Sequence, residues 1–311
     1  MLSTSIAMAR KAQVLAEALP YIRSFHGKTF VIKFDGNAIT SAALRSGFGR
    51  DITLLQLVGM RPIVVQGGEF EIADLLNRIG VKGEGRRRSS ITDGKTMNLV
   101  TMAFAELNKE VVGLINQHGG KAVGLSGQDS RFIRAKKSLL PSAVDEKGAV
   151  DIGLTGDVER IDPEVLDLLR SNDFIPVVSP IGVGAKGDLY NINADIVAGN
   201  LAQTLKAEKL IIMTNTPGIL DTQGRLITGL TVSEMEPLIA GGAIHGGTTP
   251  TLSAALEAVK NGVKAAHIID GRVRNALLLE VLTGEGVGTA IRSNAGPHFL
   301  ADTQRYFSEA V

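Results

Sequence analysis

The residues that suggest chemistry begin with a lysine at the end of an apolar run. Lys33 follows residues 29–32, a short β-branched and aromatic stretch that predicts a strand buried on both faces. Asp35, Gly36 and Asn37 come directly afterwards. A cation at the carboxyl end of a buried parallel strand, followed by a glycine turn, is typical of anion sites in open α/β sheets. The stretch therefore predicts a place where a phosphate group is held.

A second strand and turn repeat this arrangement. Residues 62–65 predict another buried strand, and Gln66, Gly67 and Gly68 form the turn that follows it. Because neighbouring parallel strands end at one sheet edge, the two turns are expected to face a single crevice. There the Lys33 ammonium would meet the charge of a phosphoryl group, and glycine amides would bind its oxygens. The alternative is a strand-end lysine that extends into solvent.

A carboxylate further along the chain completes this set of candidates. Asp195 follows Asn191 and Asn193 at the predicted start of a long helix. Its carboxylate either orients a nearby lysine or serves as an ordinary helix cap. Thr214 ends another apolar run, and Asn215 begins the turn that follows it. Glycine and polar turns alone are weak signals, since every α/β sheet contains them.

Several common catalytic motifs are missing from the sequence. It contains no GxxxxGK[ST] loop and no GxSxG elbow, and no GxGxxG motif directly follows the first strand. The five histidines are scattered and no pair has metal-ligand spacing, so no metal site is predicted. Phosphate handling without a P-loop is the chemistry that remains.

Length and composition limit the class of protein. A chain of 311 residues with 44% hydrophobic content can bury the core of one large or two medium α/β domains. The net charge of +1 argues against binding to nucleic acid or to a membrane surface. There is no cysteine, no apolar run approaching a membrane span of about 20 residues, and no signal-peptide pattern. A cytoplasmic location is therefore expected.

The order of the elements indicates the fold. Short β-rich runs alternate with helical stripes, which predicts a mostly parallel sheet with helices on both faces. A helix should precede the first strand and break or kink at Pro20. Residues 132–140 and 153–158 should form a small hairpin, and residues 266–269 the last central strand.

Longer segments identify a resemblance. The stretches that carry it are residues 18–39, 107–129, 154–166, 191–211 and 267–289. Over nearly its full length the chain resembles the amino acid kinase family, and within it the N-acetylglutamate kinases. The helix before the first strand and the EGVGT segment at 285–289 are similar to the arginine-sensitive hexameric branch.

The resemblance implies a fold, a reaction and partners. The fold would be a three-layer α/β/α sandwich with a mostly parallel open sheet. It would consist of an N-terminal helical extension (1–27), an amino-acid-substrate lobe (28–190) and a nucleotide-binding lobe (191–311). ATP with Mg²⁺ would phosphorylate the side-chain carboxylate of N-acetyl-L-glutamate or a related acyl amino acid. The protein would form a homo-oligomer, a dimer or a hexamer, through its N-terminal helix, and arginine would be an effector.

The resemblance also implies roles for individual residues. It makes Lys33 and Asp195 catalytic. The remaining matched positions would bind the acyl amino acid, at Gly67, Gly68, Asn191 and Asn193, or the phosphates and nucleotide, at Gly36, Asn37, Thr214 and Asn215.

Some positions of the crevice depart from the family pattern. Asp35 replaces the first glycine of a Lys-x-Gly-Gly-Asn turn, and Gln66 and Glu69 interrupt a His-Gly-Gly-Gly-Pro turn. Ser90 stands where the family has an arginine that grips the substrate's α-carboxylate. Thr251 stands where it has a second phosphate-binding lysine. The nucleotide-side Thr-Asp-Val likewise becomes Thr-Asn-Thr at 214–216. Two positive charges are thus lost, at positions 90 and 251, and two carboxylates are gained, those of Asp35 and Glu69.

These departures leave three hypotheses open. Two like charges about 4 Å apart cost about 4 kcal/mol at an effective dielectric of 20, so phosphoryl transfer should be slow. First, the protein is an ATP-dependent carboxylate kinase of this family, with the three arginines at 86–88 replacing the lost one. Second, it is a divergent paralogue with another substrate or reaction, in which Asp35 and Glu69 form an acid–base pair. Third, it is a kinase-dead member that binds an effector or a partner.

Overall fold

The apolar runs of the sequence form the strands of one large sheet. The computed structural model describes residues 2–36, 39, 41–78, 94–141, 149–242, 244, 249–284 and 286–294. The helices of this part of the chain are α1 (Leu2–Phe25), α2 (Ala42–Leu57), α3 (Glu69–Arg78), α4 (Gly94–Gln117), α5 (Glu164–Ser171), α6 (Ala194–Thr204), α7 (Val232–Ala240), α8 (Thr249–Lys260) and α9 (Ala276–Leu282). Its strands are β1 (Thr29–Phe34), β2 (Arg61–Gln66), β3 (Ala122–Ser126), β4 (Ile133–Pro141), β5 (Ala149–Ile161), β6 (Ile175–Ser179), β7 (Ile181–Val183), β8 (Leu189–Asn191), β9 (Lys209–Thr214), β10 (Gly229–Thr231), β11 (Ala265–Asp270) and β12 (Thr289–Arg292).

Eight of these strands make the main sheet, in the order β10-β12-β11-β9-β1-β2-β6-β3. Every pairing is parallel except that of β11 with β12. β1 lies between β2 and β9, with Phe34 opposite Gln66 and Lys33 opposite Ile212. The carboxyl ends of these strands therefore meet at one edge, as the two predicted turns require.

Helices cover both faces of the sheet because alternate residues of each strand point to opposite sides. Val31 packs in the core cluster that contains α6 and α8, whereas Phe30 and Ile32 pack in the cluster that contains α2, α4 and α9. This confirms the three-layer sandwich with a mostly parallel sheet.

A small closed sheet sits beside the main one. It consists of β4, β5, β8 and β7, and the antiparallel pair of β4 and β5 is the hairpin that the sequence predicts. The sequence did not predict β7 and β8, which have three residues each. Strands this short carry too little periodicity to be recognised.

Two expectations about the elements are wrong. The expected break at Pro20 is absent, since α1 continues through it to Phe25, and the alternative of a kink there stays a prediction. Proline deprives the carbonyl four residues earlier of its donor, and Ala16 is exposed, so water can satisfy that carbonyl. In addition, β11 is followed by β12, which lies antiparallel to it, between β11 and the edge strand β10. No helix in the described ranges has both the length and the apolar character needed to cross a membrane.

Candidate active site

Lys33 is held between two carboxylates at the carboxyl edge of β1. The lysine is only 7% exposed. Its Nζ lies 3.0 Å from Oδ2 of Asp35 and 2.9 Å from Oδ1 of Asp195. The alternative, in which this lysine extends into solvent, is therefore wrong, and the pairing with Asp195 that the sequence offered is present.

Asp195 reaches Lys33 because a cap fixes the start of α6. The Oδ1 of Asn193 accepts hydrogen bonds from the backbone N–H groups of Asp195 and Ile196, at 2.9 and 3.3 Å. Asn193, and not Asp195, is thus the N-cap residue. The side chain of Asp195 is left free to bind the lysine.

Thr251 joins the same cluster from α8. Its hydroxyl donates a hydrogen bond to Oδ2 of Asp195, and the threonine is 3% exposed. The position where the family has a phosphate-binding lysine therefore supports the carboxylate that orients Lys33. Asp35, Lys33, Asp195 and Thr251 form one connected network, which we call the lysine cluster.

The lysine cluster keeps its ammonium charged but surrounds it with negative charge. Burial by itself lowers the pKa of Lys33, but attraction to Asp195 and Asp35 outweighs it, so the pKa lies above its ordinary value. One ammonium faces two carboxylates, and a phosphate that approaches must compete with Asp35 for the lysine. Asp35 is the more accessible competitor, because its side chain is 30% exposed and that of Asp195 only 5%.

Glu71 is a residue of this region that the sequence did not single out. Burial raises its pKa, and the charge of Asp35 raises it further. A Cβ at Gly36 would lie 1.9 Å from Oε1 of Glu71, so only glycine allows the carboxylate this close. The signal was its position two residues beyond Glu69, on the predicted helix after the second turn.

The groups of the second turn mainly make contacts within the protein, so few of them are available to a ligand. The N–H of Gly67 donates to the carbonyl of Phe34 at 2.6 Å, so the expected amide donor is already used. Gln66 is fully buried and donates from Nε2 to the carbonyl of Phe104 at 2.8 Å. A Cβ at Gly68 would lie 2.8 Å from the Phe104 ring, so this glycine permits close packing against α4.

The other predicted residues lie on neighbouring segments. The Thr214 hydroxyl, at the end of β9, is 3.1 Å from the Thr216 carbonyl, and Asn215 is exposed. Asn191 is half-buried and pairs with Ile181 in the small sheet. Asn37, Ser90 and the arginines at 86–88 lie outside the described residues, as does the side chain of Glu69. Two hypotheses therefore stay predictions. One is the pairing of Asp35 with Glu69, and the other is that an arginine at 86–88 takes the role of the arginine missing at position 90.

Comparison with known proteins shows which family this chain belongs to. The sequence pattern that defines the Amino acid kinase family matches residues 28–270, from just before β1 to the end of β11. The chain belongs to the amino acid kinase family.

Relatives of this amino acid kinase include two closely similar proteins. The acetylglutamate kinase of Chromobacterium violaceum is 59% identical over 286 residues, which are 92% of this chain and 98% of that protein. The acetylglutamate kinase of Nitrosomonas eutropha is 55% identical over 293 residues, covering 94% of this chain and 99% of that protein.

Solved structures agree on the fold of this amino acid kinase. The N-acetylglutamate synthase of Neisseria gonorrhoeae, complexed with coenzyme A and N-acetyl-glutamate, has a TM-score of 0.79 at 24% identity. The match covers 92% of this chain but only 64% of the synthase chain. A Streptococcus mutans structure has a TM-score of 0.68 at 27% identity, covering 86% of this chain and 99% of its own. At 24% identity, the likeness to the synthase shows the fold alone.

Proposed function

We propose that this protein acts as an N-acetylglutamate kinase, which transfers the γ-phosphoryl group of ATP to the side-chain carboxylate of N-acetyl-L-glutamate. The observation that carries the proposal is the buried Lys33–Asp195 pair, in a chain 59% identical to an acetylglutamate kinase over 92% of its length. Similarity of this extent does not favour the hypotheses of an altered substrate or of a kinase-dead protein.

The reaction needs charge stabilisation rather than proton transfer. An oxygen of the substrate carboxylate forms a bond to the γ-phosphorus, the bond between that phosphorus and the β–γ bridging oxygen breaks, and ADP leaves with the electron pair. The products are an acyl phosphate and ADP. Both partners are anions, so an ammonium at the transferring group lowers the barrier. Lys33 supplies that ammonium, Asp195 orients it, and Thr251 fixes Asp195.

The remaining predicted residues take supporting roles in this proposal. Residues 28–190 bind the acyl amino acid, with Asn191 and Asn193 at the boundary, and residues 191–311 bind the nucleotide. Gly36 and Asn37 lie on the phosphate side of β1, and Thr214 and Asn215 on the nucleotide side of β9. Gly67 and Gly68 act by allowing close packing, since a Cβ at Gly67 would lie 3.3 Å from Oδ1 of Asp35.

Mg²⁺ enters the proposal together with the nucleotide. Mg²⁺ prefers oxygen ligands and is usually held by substrate phosphates with one or two carboxylates. In this proposal the phosphates of ATP hold the ion, and Asp35 is not one of its ligands. Bound there, the ion would neutralise charge on the phosphate oxygens.

The direct test is capture of the acyl phosphate with hydroxylamine. The purified protein, ATP–Mg²⁺ and N-acetyl-L-glutamate should give a hydroxamate, with ADP released in equal amount. Lys33→Met should reduce the rate by about 10²–10³-fold. Lys137→Met, a change to an exposed lysine on the small sheet, should leave it unchanged. A hydroxamate rate no higher than that of Lys33→Met would refute the proposed function.

We further propose arginine as an effector, bound between α1 and α9. Glu280 is buried, pairs with Nδ1 of His267, and accepts a hydrogen bond from the Val287 N–H at 2.7 Å. The Nζ of Lys209 lies 5.2 Å from the centre of the Phe25 ring of α1. A carboxylate beside the end of α1 and the residue 287 loop suits a guanidinium ligand. Arginine should raise the melting temperature of the protein, and Glu280→Gln should abolish that shift.

We also propose that the protein forms an oligomer through α1. Its proposed location is the cytoplasm. Leu15 and Leu19 lie one helical turn apart and are 75% and 53% exposed. Two large apolar side chains on one helix face suit burial against a second copy of the chain. Light scattering should give a dimer or a hexamer, and the double change Leu15→Glu, Leu19→Glu should give smaller species. A monomer in the unchanged protein would contradict this proposal.

A further inference from the structure

A cavity lies at the same sheet edge as the lysine cluster, but on the opposite face of the sheet from Thr251. It is lined by the first half of α2, the end of β9 and the turn between β11 and α9, opens to solvent on one side, and has a volume of about 240 Å³. Phe48 and Met213 form part of its apolar wall, and Asp51, Arg50 and Arg274 also line it. A volume of this size holds several water molecules and suits a small metabolite.

Asp51 is the unusual residue of this cavity. It is only 3% exposed, and its Oδ1 accepts no hydrogen bond from any described residue. The nearest cation is the Arg50 guanidinium, whose Nη2 lies 3.8 Å away and donates instead to Oδ1 of Asn275 at 2.7 Å. An unpaired buried carboxylate oxygen is costly, so a partner is expected for it.

The cavity carries charges of both signs. Asp51 would repel a simple anion, while Arg50 and Arg274 would repel a simple cation. A molecule that bears an ammonium and a carboxylate on one carbon can satisfy both. Its ammonium can donate to Asp51, its carboxylate can accept from a guanidinium, and its side chain can pack against Phe48 and Met213.

Backbone hydrogen bonds connect the walls of the cavity to two turns of the crevice that contains the lysine cluster. Ile39, which lines it, donates from its N–H to the carbonyl of Gly36 at 3.2 Å. Gly271, another wall residue, donates to the carbonyl of Thr214 at 2.8 Å. A ligand in the cavity therefore contacts segments that hold the phosphate side and the nucleotide side of the crevice.

We propose that this cavity is a second small-molecule site, which binds a free α-amino acid with an apolar side chain and thereby sets the positions of the Gly36 and Thr214 turns. The site is separate from the arginine site proposed around Glu280, because Lys209 of that region and Met213 of this cavity lie at opposite ends of β9, about 13 Å apart at the rise of a strand. It does not depend on the proposed kinase activity.

Calorimetric titration of the full chain tests the proposal. The probes are L-leucine and L-methionine, compared with N-acetyl-L-leucine, which lacks the ammonium, and L-leucinamide, which lacks the carboxylate. We expect saturable binding of the first two and at least tenfold weaker binding of the last two. Asp51→Asn and Arg274→Gln should each weaken binding by about tenfold or more, a change of about 1.4 kcal/mol.

Matched controls separate this site from others and from loss of folding. Asp188→Asn, in the turn between β7 and β8, and Arg134→Gln, on β4, change the same residue types at exposed positions and should leave binding within about twofold. Glu280→Gln should also leave it unchanged. Ala43→Trp fills the cavity and should abolish binding, and circular dichroism verifies folding of every variant. No saturable binding up to about 10 mM, or binding that survives both Asp51→Asn and Ala43→Trp, would overturn the proposal.

Discussion

Removing the charge of Asp35 should make the proposed kinase faster. The carboxylate lies 3.0 Å from Nζ of Lys33, where the Coulomb attraction is about 5.5 kcal/mol at an effective dielectric of 20. Because the Asp35 side chain is 30% exposed, solvent screens the pair and reduces its net strength to roughly 1–3 kcal/mol. A phosphate must overcome this competition to reach the lysine. Asp35→Asn keeps the shape of the side chain, and Asp35→Gly restores the residue of the family pattern.

Both variants should increase kcat/KM for ATP by about 10- to 100-fold, which corresponds to about 1.4–2.7 kcal/mol. The hydroxamate assay, run over a range of ATP concentrations, separates effects on KM from effects on kcat. Asp188→Asn, at an exposed position in the turn between β7 and β8, is the control for a change in net charge. If Asp35→Asn instead lowers kcat/KM tenfold or more, Asp35 takes part in the chemistry or holds Mg²⁺, and the reasoning that it obstructs phosphate is wrong.

Three further predictions concern stability. Lys33→Met should destabilise the protein by about 3–5 kcal/mol in urea unfolding, because the buried Asp195 loses its cation. Asp51→Asn should stabilise it at pH 8 by on the order of 2 kcal/mol. Burial raises the pKa of Asp51 from 3.8 to about 7. Between these two pH values the folded state holds a proton that the unfolded state lacks, so the free energy of unfolding falls as the pH rises from 3.8 to about 7. His267→Gln should remove part of the acid sensitivity seen in unfolding curves between pH 6.5 and 4. Burial lowers the pKa of His267 from 6.5 to about 4, so its contribution is complete above pH 6.5 and is lost as the pH falls.

The main sheet could be predicted because its strands are buried on both faces. Uninterrupted apolar runs such as β1 and β2 give a strong signal, and the turn after each run places its residues at one edge. The short strands β7, β8 and β10 have three residues each and derive their structure from pairing with neighbours. The continuation of α1 through Pro20 depends on the solvent exposure of one carbonyl, which the local sequence does not reveal.

The lysine cluster could be predicted only in part. Types and positions of residues indicated Lys33, Asp35 and Asp195, and the resemblance added Thr251. Which carboxylates bind the lysine depends on where α6 and α8 begin in space, a tertiary property. The same holds for Gly67, whose N–H is taken by the Phe34 carbonyl of the adjacent strand end. An inventory of glycine turns overestimates the free donors at a sheet edge, because neighbouring strands use some of them.

The two carboxylates of the lysine cluster differ in how they hold Lys33. Asp195 is fixed by the α6 cap, by the Thr251 hydroxyl and by burial, so releasing it would leave a carboxylate without a cation in the interior. Asp35 lies on a turn and is partly exposed, so it can exchange Lys33 for water at a smaller cost than Asp195 can. An incoming phosphate should therefore displace Asp35 and leave the Lys33–Asp195 pair intact. In this way the chain can keep the pair that orients the ammonium while phosphate access depends on one carboxylate. That division explains how a site with fewer cations than its family pattern can still serve phosphoryl transfer, at a rate governed by Asp35.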